Sequence, residues 1–553
     1  MSSTLAGLLQ VGILLALLAA VYKPLGDYMA RVFTDRRHLA VERVVYRAVR
    51  VDPDSEQRWP VYAAGVLGFS FVSIVLLYLI QRLQPLLPFD FGRGAVDPGI
   101  AFNTAISFVA NTNWQSYVPE VVMGHTVQLL GLTVQNFVSG AVGISVAIAL
   151  VRGFTRSATD RLGNFWVDLV RATVRILLPM AFVFAIVLIA LGVVQSLTSG
   201  VIVSNPDGSS STIALAPAAS QEAIKELGTN GGGIFNANSS HPFENPNGIT
   251  NLVEIFLLLV IPVCLTRTFG TLVGNRRQGY ALLSVMGVLW GAMLAVIWWA
   301  EAHPNGPAAL LAGSAMEGKE VRFGIAGSAL FANATTGTST GAINAAHDSL
   351  TGLGGGGVLL NMLFSEMTPG GVGTGLYGIL VMAIIAVFLA GLMVGRTPEY
   401  LGKKLGRREV TTAAIAMLAM PTLVLVGSGI AIMLSGTPGY MGNSGVHGWS
   451  EVLYAYASAA NNNGSAFAGI TVTSPWFQSS LGICMLLGRL VPIVAVLCLA
   501  GSLAAQRKVP ATAGTLPTHG PLFASLLTGT IVLVAALTFI PALALGPIAE
   551  ALA

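Results

Sequence analysis

The 553-residue chain is short of charge. Asp, Glu, Lys and Arg make up 10% of it, against about 25% in an ordinary soluble domain. A water-soluble enzyme or a nucleic-acid binder is not built from such a composition. Cysteine is scarce as well. Cys264, Cys484 and Cys498 all fall inside apolar segments. They read as small hydrophobes, which leaves no disulfide framework and no thiolate metal centre. The chain also lacks G-x-x-x-x-G-K-[ST], an Asp-Lys-Thr-Gly phosphorylation motif, and any soluble stretch large enough to hold a nucleotide. Any energised activity must therefore draw on a partner or an ion gradient.

Long hydrophobic runs dominate instead. Apolar residues account for 54% of the chain, and there are 64 glycines, as suits close helix packing or backbone bared to a ligand. Ten segments have the length and apolarity of membrane helices: 4–22, 61–80, 126–150, 172–196, 250–273, 280–300, 375–394, 411–435, 479–505 and 522–545. The first has no basic n-region and runs straight into Tyr22-Lys23-Pro24, so it reads as a helix rather than a cleaved signal.

Basic residues set an expected orientation. The intervals 23–58, 152–175, 267–277, 396–408 and 507–508 hold 8, 5, 3, 5 and 2 of the 29 lysines and arginines. The alternate intervals hold only Arg82, Arg93, Lys225, Lys319 and Arg322. Positive loops mark the cytoplasmic side. Both termini are then expected outside.

Four uncharged polar stretches lie on that outer side. They are Asn111-Thr112-Asn113-Trp114-Gln115-Ser116, Thr229-Asn230-Gly231-Gly232-Gly233, Thr338-Ser339-Thr340-Gly341-Ala342 and Asn461-Asn462-Asn463-Gly464-Ser465. Each follows a segment too short to span a bilayer, such as Pro98 to Val109 or Glu451 to Ala460. Each precedes a return to a membrane run. The unit of helix, half-helix, loop, helix recurs four times, with one extra helix at each end. The expected fold is an all-α membrane protein with ten transmembrane helices and four pseudo-symmetric repeats, like a potassium channel folded into one chain. The divisions are 1–58, 59–152, 153–277, 278–408, 409–508 and 509–553. Irregular backbone at membrane depth is tolerated only where protein or a cavity covers it. Four loops around one axis would present rings of carbonyls suited to a monovalent cation, and the C-terminal dipole ends of the half-helices favour positive charge there.

Arg489 stands inside a membrane run, where charge is costly and faces a cavity or a partner. Two readings stay open: an electrostatic plug beneath the loops, or a structural pair with Glu366 or Glu254. The outer carboxylates Glu120, Glu222, Glu226, Glu244, Asp348, Glu366 and Glu451 are expected to concentrate cations at a mouth. His347-Asp348-Ser349 has the letters of a hydrolase triad but no accompanying nucleophile elbow.

The runs NTNWQSY (111–117), ELGTNGGGIFNANSSHPFENPN (226–247), GAINAAHDSLTGLGG (341–355), GGVGTGLYG (370–378), VGRTPEYLGKK (394–404) and YASAANNNGSAFAG (456–469) closely resemble KdpA. This is the potassium-translocating subunit family of the bacterial Kdp potassium-importing ATPase. The resemblance implies a fold shared with Trk/Ktr/HKT transporters, K+ as the transported ion, and the inner membrane as location. It implies a complex with the P-type ATPase KdpB, with KdpC and with the small KdpF. By matching motif, it implies a filter at Asn111, Thr112 and Asn113; at Thr229, Asn230, Gly231 and Gly232; at Ser339, Thr340 and Gly341; and at Asn462, Asn463 and Gly464. Gln115 matches a position tied to ion affinity, and Arg489 matches the family's intramembrane arginine. Ions are implied to turn sideways below the filter into the ATPase subunit, with Glu366 near that route. Two other readings remain: a stand-alone Trk/Ktr-like channel or symporter, and a membrane scaffold without transport.

Overall fold

The structure is a computed structural model that describes residues 3–304, 311, 313–365, 367–510 and 514–552. Ten helices among them are long and apolar enough to cross a membrane. Each of the ten expected runs overlaps one, the fourth with its ends six to seven residues too late. They are Ser3–Thr34, Trp59–Arg82, Val127–Thr155, Phe165–Ala190, Gly248–Leu272, Arg276–Ala302, Thr374–Met393, Arg407–Met433, Pro475–Ala505 and Pro521–Ala544.

Four half-helices stand between consecutive spans: Pro98–Val109, Ala218–Leu227, Gly324–Gly337 and Gly445–Ala460. The span after each half-helix is the inner helix of its unit, and burial separates inner from outer. Within the inner spans 56–83% of the residues are buried, against 28–50% in the outer spans of the same four units. Inner helices therefore pack around the axis while outer helices show Leu, Val and Phe to lipid. Small residues bring the inner layer together. A Cβ on Gly143 of the first inner helix would lie 2.3 Å from the Val372 carbonyl, so the backbones meet there without side chains between them.

Two elements differ from the sequence reading. The first span continues twelve residues beyond Tyr22, through Pro24 to Thr34. Proline removes a donor and ordinarily ends a helix, but this one is clamped against the second inner helix. Asp27 receives the Arg267 guanidinium at 2.8 Å through both oxygens, and Thr268 Oγ1 donates to the Gly26 carbonyl at 2.9 Å. The third inner helix is divided. Gly352–Leu363 forms an outer half, residues 364–365 and 367–373 are irregular, and Thr374–Met393 completes the crossing.

The face opposite the half-helix loops is held by buried ion pairs. Arg152 grips Asp168 at 2.5 and 2.8 Å, and Tyr62 donates to the same carboxylate at 2.9 Å. On the half-helix face, a five-residue hairpin pairs Gly200–Ser204 with Ser210–Ala214. The C-terminal helix Pro547–Leu552 docks on that face through His447, whose two ring nitrogens meet Asp348 and Glu550 at 2.9 Å each. Those carboxylates, Asp348 foremost, raise the His447 pKa from 6.5 to about 10. The sign follows: a raised folded value contributes stability in full below pH 6.5, and the contribution is lost as pH rises through 10. Limited proteolysis of the C-terminal helix is expected to accelerate between pH 7 and pH 10. In His447→Gln the rate should be fast and flat across that range.

Candidate functional site

The four half-helices end in the same way. Their C-caps are Ala110, Gly228, Thr338 and Asn461. The next residue is left-handed in every case, with φ 63° at Asn111, 45° at Thr229, 50° at Ser339 and 54° at Asn462. The residue after that donates its N–H back across the last turn: Thr112 to Ser107, Asn230 to Lys225 and Thr340 to Thr335 at 2.9 Å each, and Asn463 to Ser458 at 2.8 Å. This is the Schellman termination, which satisfies the orphan carbonyls of a helix end. Glycine usually occupies its left-handed position; here Asn, Thr, Ser and Asn do. Asn accepts that conformation through local hydrogen bonds. A β-branched Thr229 is strained there by about 1–3 kcal/mol, and its hydroxyl accepts the Val372 N–H at 2.9 Å in return.

Beyond the termination the loops meet in a ring. A Cβ on Gly231 would fall 2.4 Å from Gly341 Cα, and one on Gly341 would fall 2.8 Å from the Gly464 carbonyl carbon. One on Gly464 would overlap the Thr112 carbonyl, and one on Gly232 would lie 3.1 Å from the Asn113 carbonyl. Loop two thus touches loop three, three touches four, four touches one, and one touches two. The Gly341 N–H also donates to the Asn230 carbonyl at 3.0 Å. Gly464, at φ 96°, is required both by its conformation and by this contact.

Side chains behind the ring fix it. Asn111 donates to the Thr229 carbonyl at 2.8 Å and accepts from Ser139 Oγ at 2.7 Å. Asn230 donates to the Asn136 carbonyl at 2.7 Å, and Asn113 donates to the Asn136 side chain at 2.7 Å. Asn462 donates to Thr112 Oγ1 at 3.0 Å and to the Met485 carbonyl at 2.8 Å. Hydroxyls three positions before the cap brace the loops. Ser107 donates to the Trp114 carbonyl, Thr335 donates to that of Thr340, and Ser458 accepts from the Gly464 N–H, at 3.0, 2.7 and 3.0 Å. Lys225 holds the equivalent position in the second unit. Gln115 spans the first two loops, donating to the Gly233 carbonyl at 3.1 Å and accepting the Gly233 N–H at 3.0 Å. The candidate loop residues are all uncharged and, apart from the partly exposed Gly464 and Gln115, buried, and Asn113 Oδ1 has no hydrogen-bond partner among the described residues.

Arg489 lies one helical turn beyond Met485, buried, and donates to the Ser139 carbonyl at 3.1 Å. No described carboxylate is within ion-pair distance of it. The expected pairing with Glu254 is not formed, because Glu254 faces the second half-helix and not the fourth inner helix. Glu366 lies outside the described residues. The acidic mouth also needs correction. Glu222, Glu226, Glu244 and Glu451 are buried. Glu244 caps the Ile234 and Phe235 N–H groups, and Glu451 caps those of Gly442 and Asn443. His347 hydrogen-bonds Tyr454 and Asp348 hydrogen-bonds His447, so no triad forms.

The sequence reading missed the bracing set. Asn136 and Ser139 are polar residues inside an apolar inner helix, which was the available signal. It also missed the irregular chain at 367–373, which packs under the third half-helix: Gly370 donates to the Gly337 carbonyl at 2.7 Å. Beneath the fourth loop lies a cavity of about 70 Å³, lined by Asn461, Asn462, Gly488, Thr374 and Met382. A second cavity shares Ser365, Met367, Met382 and Met417 with it and continues to Ile531 and Phe539 of the last span.

Half-helices that share one termination, close one backbone ring and sit within ten membrane helices define a single-chain membrane protein of the pore-loop class. The fold resembles the crystal structure of the potassium transporter TrkH from Vibrio parahaemolyticus. The TM-score is 0.53 at 14% identity, covering 89% of this chain and 95% of the other. The chain belongs to the KdpA family, potassium-transporting ATPase A subunit, whose model matches residues 12–552. It is 66% identical to the potassium-transporting ATPase potassium-binding subunit of Rhodococcus erythropolis and 64% identical to that of Rhodococcus opacus. The Mycobacteroides abscessus protein of the same name is 62% identical, and in all three comparisons both chains are fully covered.

Asn111→Ala tests the bracing. It strands the buried Thr229 carbonyl and leaves Ser139 Oγ only the Asn230 side chain at 3.1 Å, and an unsatisfied buried group costs about 1–3 kcal/mol. Thermal unfolding of the purified protein should shift down accordingly, and Asn111→Asp should not substitute, since it lacks the donor.

Proposed function

We infer that this chain is the potassium-selective binding and translocating subunit of an ATP-driven potassium-import complex. The repeated Schellman termination around one uncharged ring carries the reading. It bares backbone at four equivalent places without adding a carboxylate ring, the combination suited to a weakly hydrated monovalent cation. The filter comprises Asn111–Asn113, Thr229–Gly232, Ser339–Gly341 and Asn462–Gly464, with Gln115 at its outer rim. Asn230 serves by bridging loops two and three rather than through a free carbonyl.

The sequence carries neither a P-loop motif nor an Asp-Lys-Thr-Gly phosphorylation motif. Full-length relatives named as ATPase subunits support a P-type ATPase partner resembling KdpB over the stand-alone Trk-like reading. Subunits resembling KdpC and KdpF complete the proposed assembly. The adjoining cavities under the fourth loop support a sideways exit toward that partner, and Glu366, outside the described residues, is assigned to that route on the family match alone. The basic loops support residence in the cytoplasmic membrane, with the half-helix face and both termini outside. The repeats are proposed to divide at 59, 153, 278 and 409.

Selectivity tests the filter. In Gly464→Ala the new Cβ must displace the Thr112 carbonyl, so the preference for potassium over sodium should fall by about tenfold or more, equivalent to about 1.4 kcal/mol. Unchanged discrimination in transport assays removes Gly464 from the filter. Arg489→Gln tests the plug. Its cationic charge below the ring raises the barrier to straight-through passage. The variant complex should stay assembled and pass potassium without ATP; poor assembly with no leak would favour the structural pair.

A further inference from the structure

The second half-helix breaks the bracing pattern. Where the other three units place a hydroxyl, it places Lys225, and four carboxylates gather around that ammonium. Glu222, Lys225, Glu226, Glu244 and Glu254 are each at most 1% exposed. Lys225 Nζ lies 2.7 Å from Glu222, 3.4 Å from Glu244 and 3.6 Å from Glu226. Glu222 also accepts from Ser239 Oγ at 2.8 Å, and Glu244 accepts the two backbone N–H groups already described. Those two carboxylates are fully matched to donors.

Glu226 and Glu254 are not. Glu226 Oε1 receives only a long contact from Ser239 Oγ at 3.4 Å, Glu226 Oε2 and both oxygens of Glu254 have no hydrogen-bond partner among the described residues, and oxygens of Glu222, Glu226 and Glu254 all lie within 4.8 Å of one another. An ion held away from bulk water costs several kcal/mol unless it is paired, and two carboxylates sharing a buried site cannot both ionise readily. Other charged groups nearby are engaged or turned away. Arg322 binds the Ser240 and Asn245 carbonyls and pairs with Glu320 at 2.6 Å, while His241 stacks on Phe235. A hard divalent cation is a poor fit. It needs six or more oxygens or several waters, and Lys225 already occupies the centre of the cluster.

We propose that the Glu226–Glu254 pair is a buried proton site that holds one shared proton in the resting protein. The proton belongs to the pair and not to either residue. Its place is structural as well as electrostatic. The Lys225 carbonyl receives the Asn230 N–H, so the charge state of the cluster bears on the last turn beneath the second loop.

Infrared difference spectra of the whole purified complex at neutral pH test this, parent against Glu254→Gln and against Glu226→Gln. Each glutamine keeps the shape of a protonated glutamate. Both variants should assemble with unfolding temperatures near that of the parent, and the parent-minus-variant spectrum should show loss of one carboxylic-acid carbonyl band. Three results overturn the proposal. One is no acid band lost in either difference spectrum. Another is one divalent metal per complex by elemental analysis, present in the parent and absent from Glu254→Gln. The last is failure of both variants to assemble, which would mean that the cluster requires both carboxylates ionised.

Discussion

The structure depends on one constraint: backbone left outside a helix at membrane depth must be satisfied by the protein itself. The four half-helices meet it with one repeated device, an N–H from the second residue past the cap closing on the carbonyl five positions earlier. That bond ends each half-helix, turns the chain sharply and delivers the following residues to a common ring. A single such turn is ordinary loop chemistry. Four of them, closing on one another through glycine backbone, leave no room for side chains at the contact and so make the centre a surface of peptide groups.

Strain and support are distributed accordingly. The ring holds non-glycine residues in left-handed conformations, and the inner helices supply donors and acceptors that hold them there: Asn136 and Ser139 from the first, Met485 from the fourth, Val372 from the broken third. The inner helices are therefore more than a lipid-excluding wall. Their polar residues determine the shape of the loops, and Arg489, on the carbonyl of Ser139, adds charge one turn below without entering the ring.

Much of this was legible before any coordinates. Runs of apolar residues gave ten spans because the bilayer fixes helix length. The grammar of short segment, polar glycine-containing stretch and long segment located all four half-helices, with Pro98 and Val109 as the bounds of the first. What sequence could not show was which polar groups share a buried space. Glu222 and Glu244 read as mouth carboxylates because they lie in an outer interval, yet Lys225 and the Ile234 and Phe235 N–H groups draw them inward. The first run was bounded at residue 22 because the tertiary clamp that carries the helix past Pro24, Asp27 on Arg267, lies far along the chain. The division of the third inner helix had a signal in Pro369 and the Gly370-Gly371-Val372-Gly373 run, but the contact of Gly370 with the third half-helix that explains it is tertiary.

The central claim is that the ring of loops binds potassium through its backbone. Density for a bound ion in a map of the whole complex, recorded with saturating potassium and again with potassium replaced by an electron-rich monovalent mimic such as thallium, tests it most directly. The account predicts a peak on the axis among Asn113, Gly232, Gly341 and Gly464 that strengthens with the mimic. No peak among these loops, with ion density only in the cavities beneath or beside a carboxylate, would contradict it.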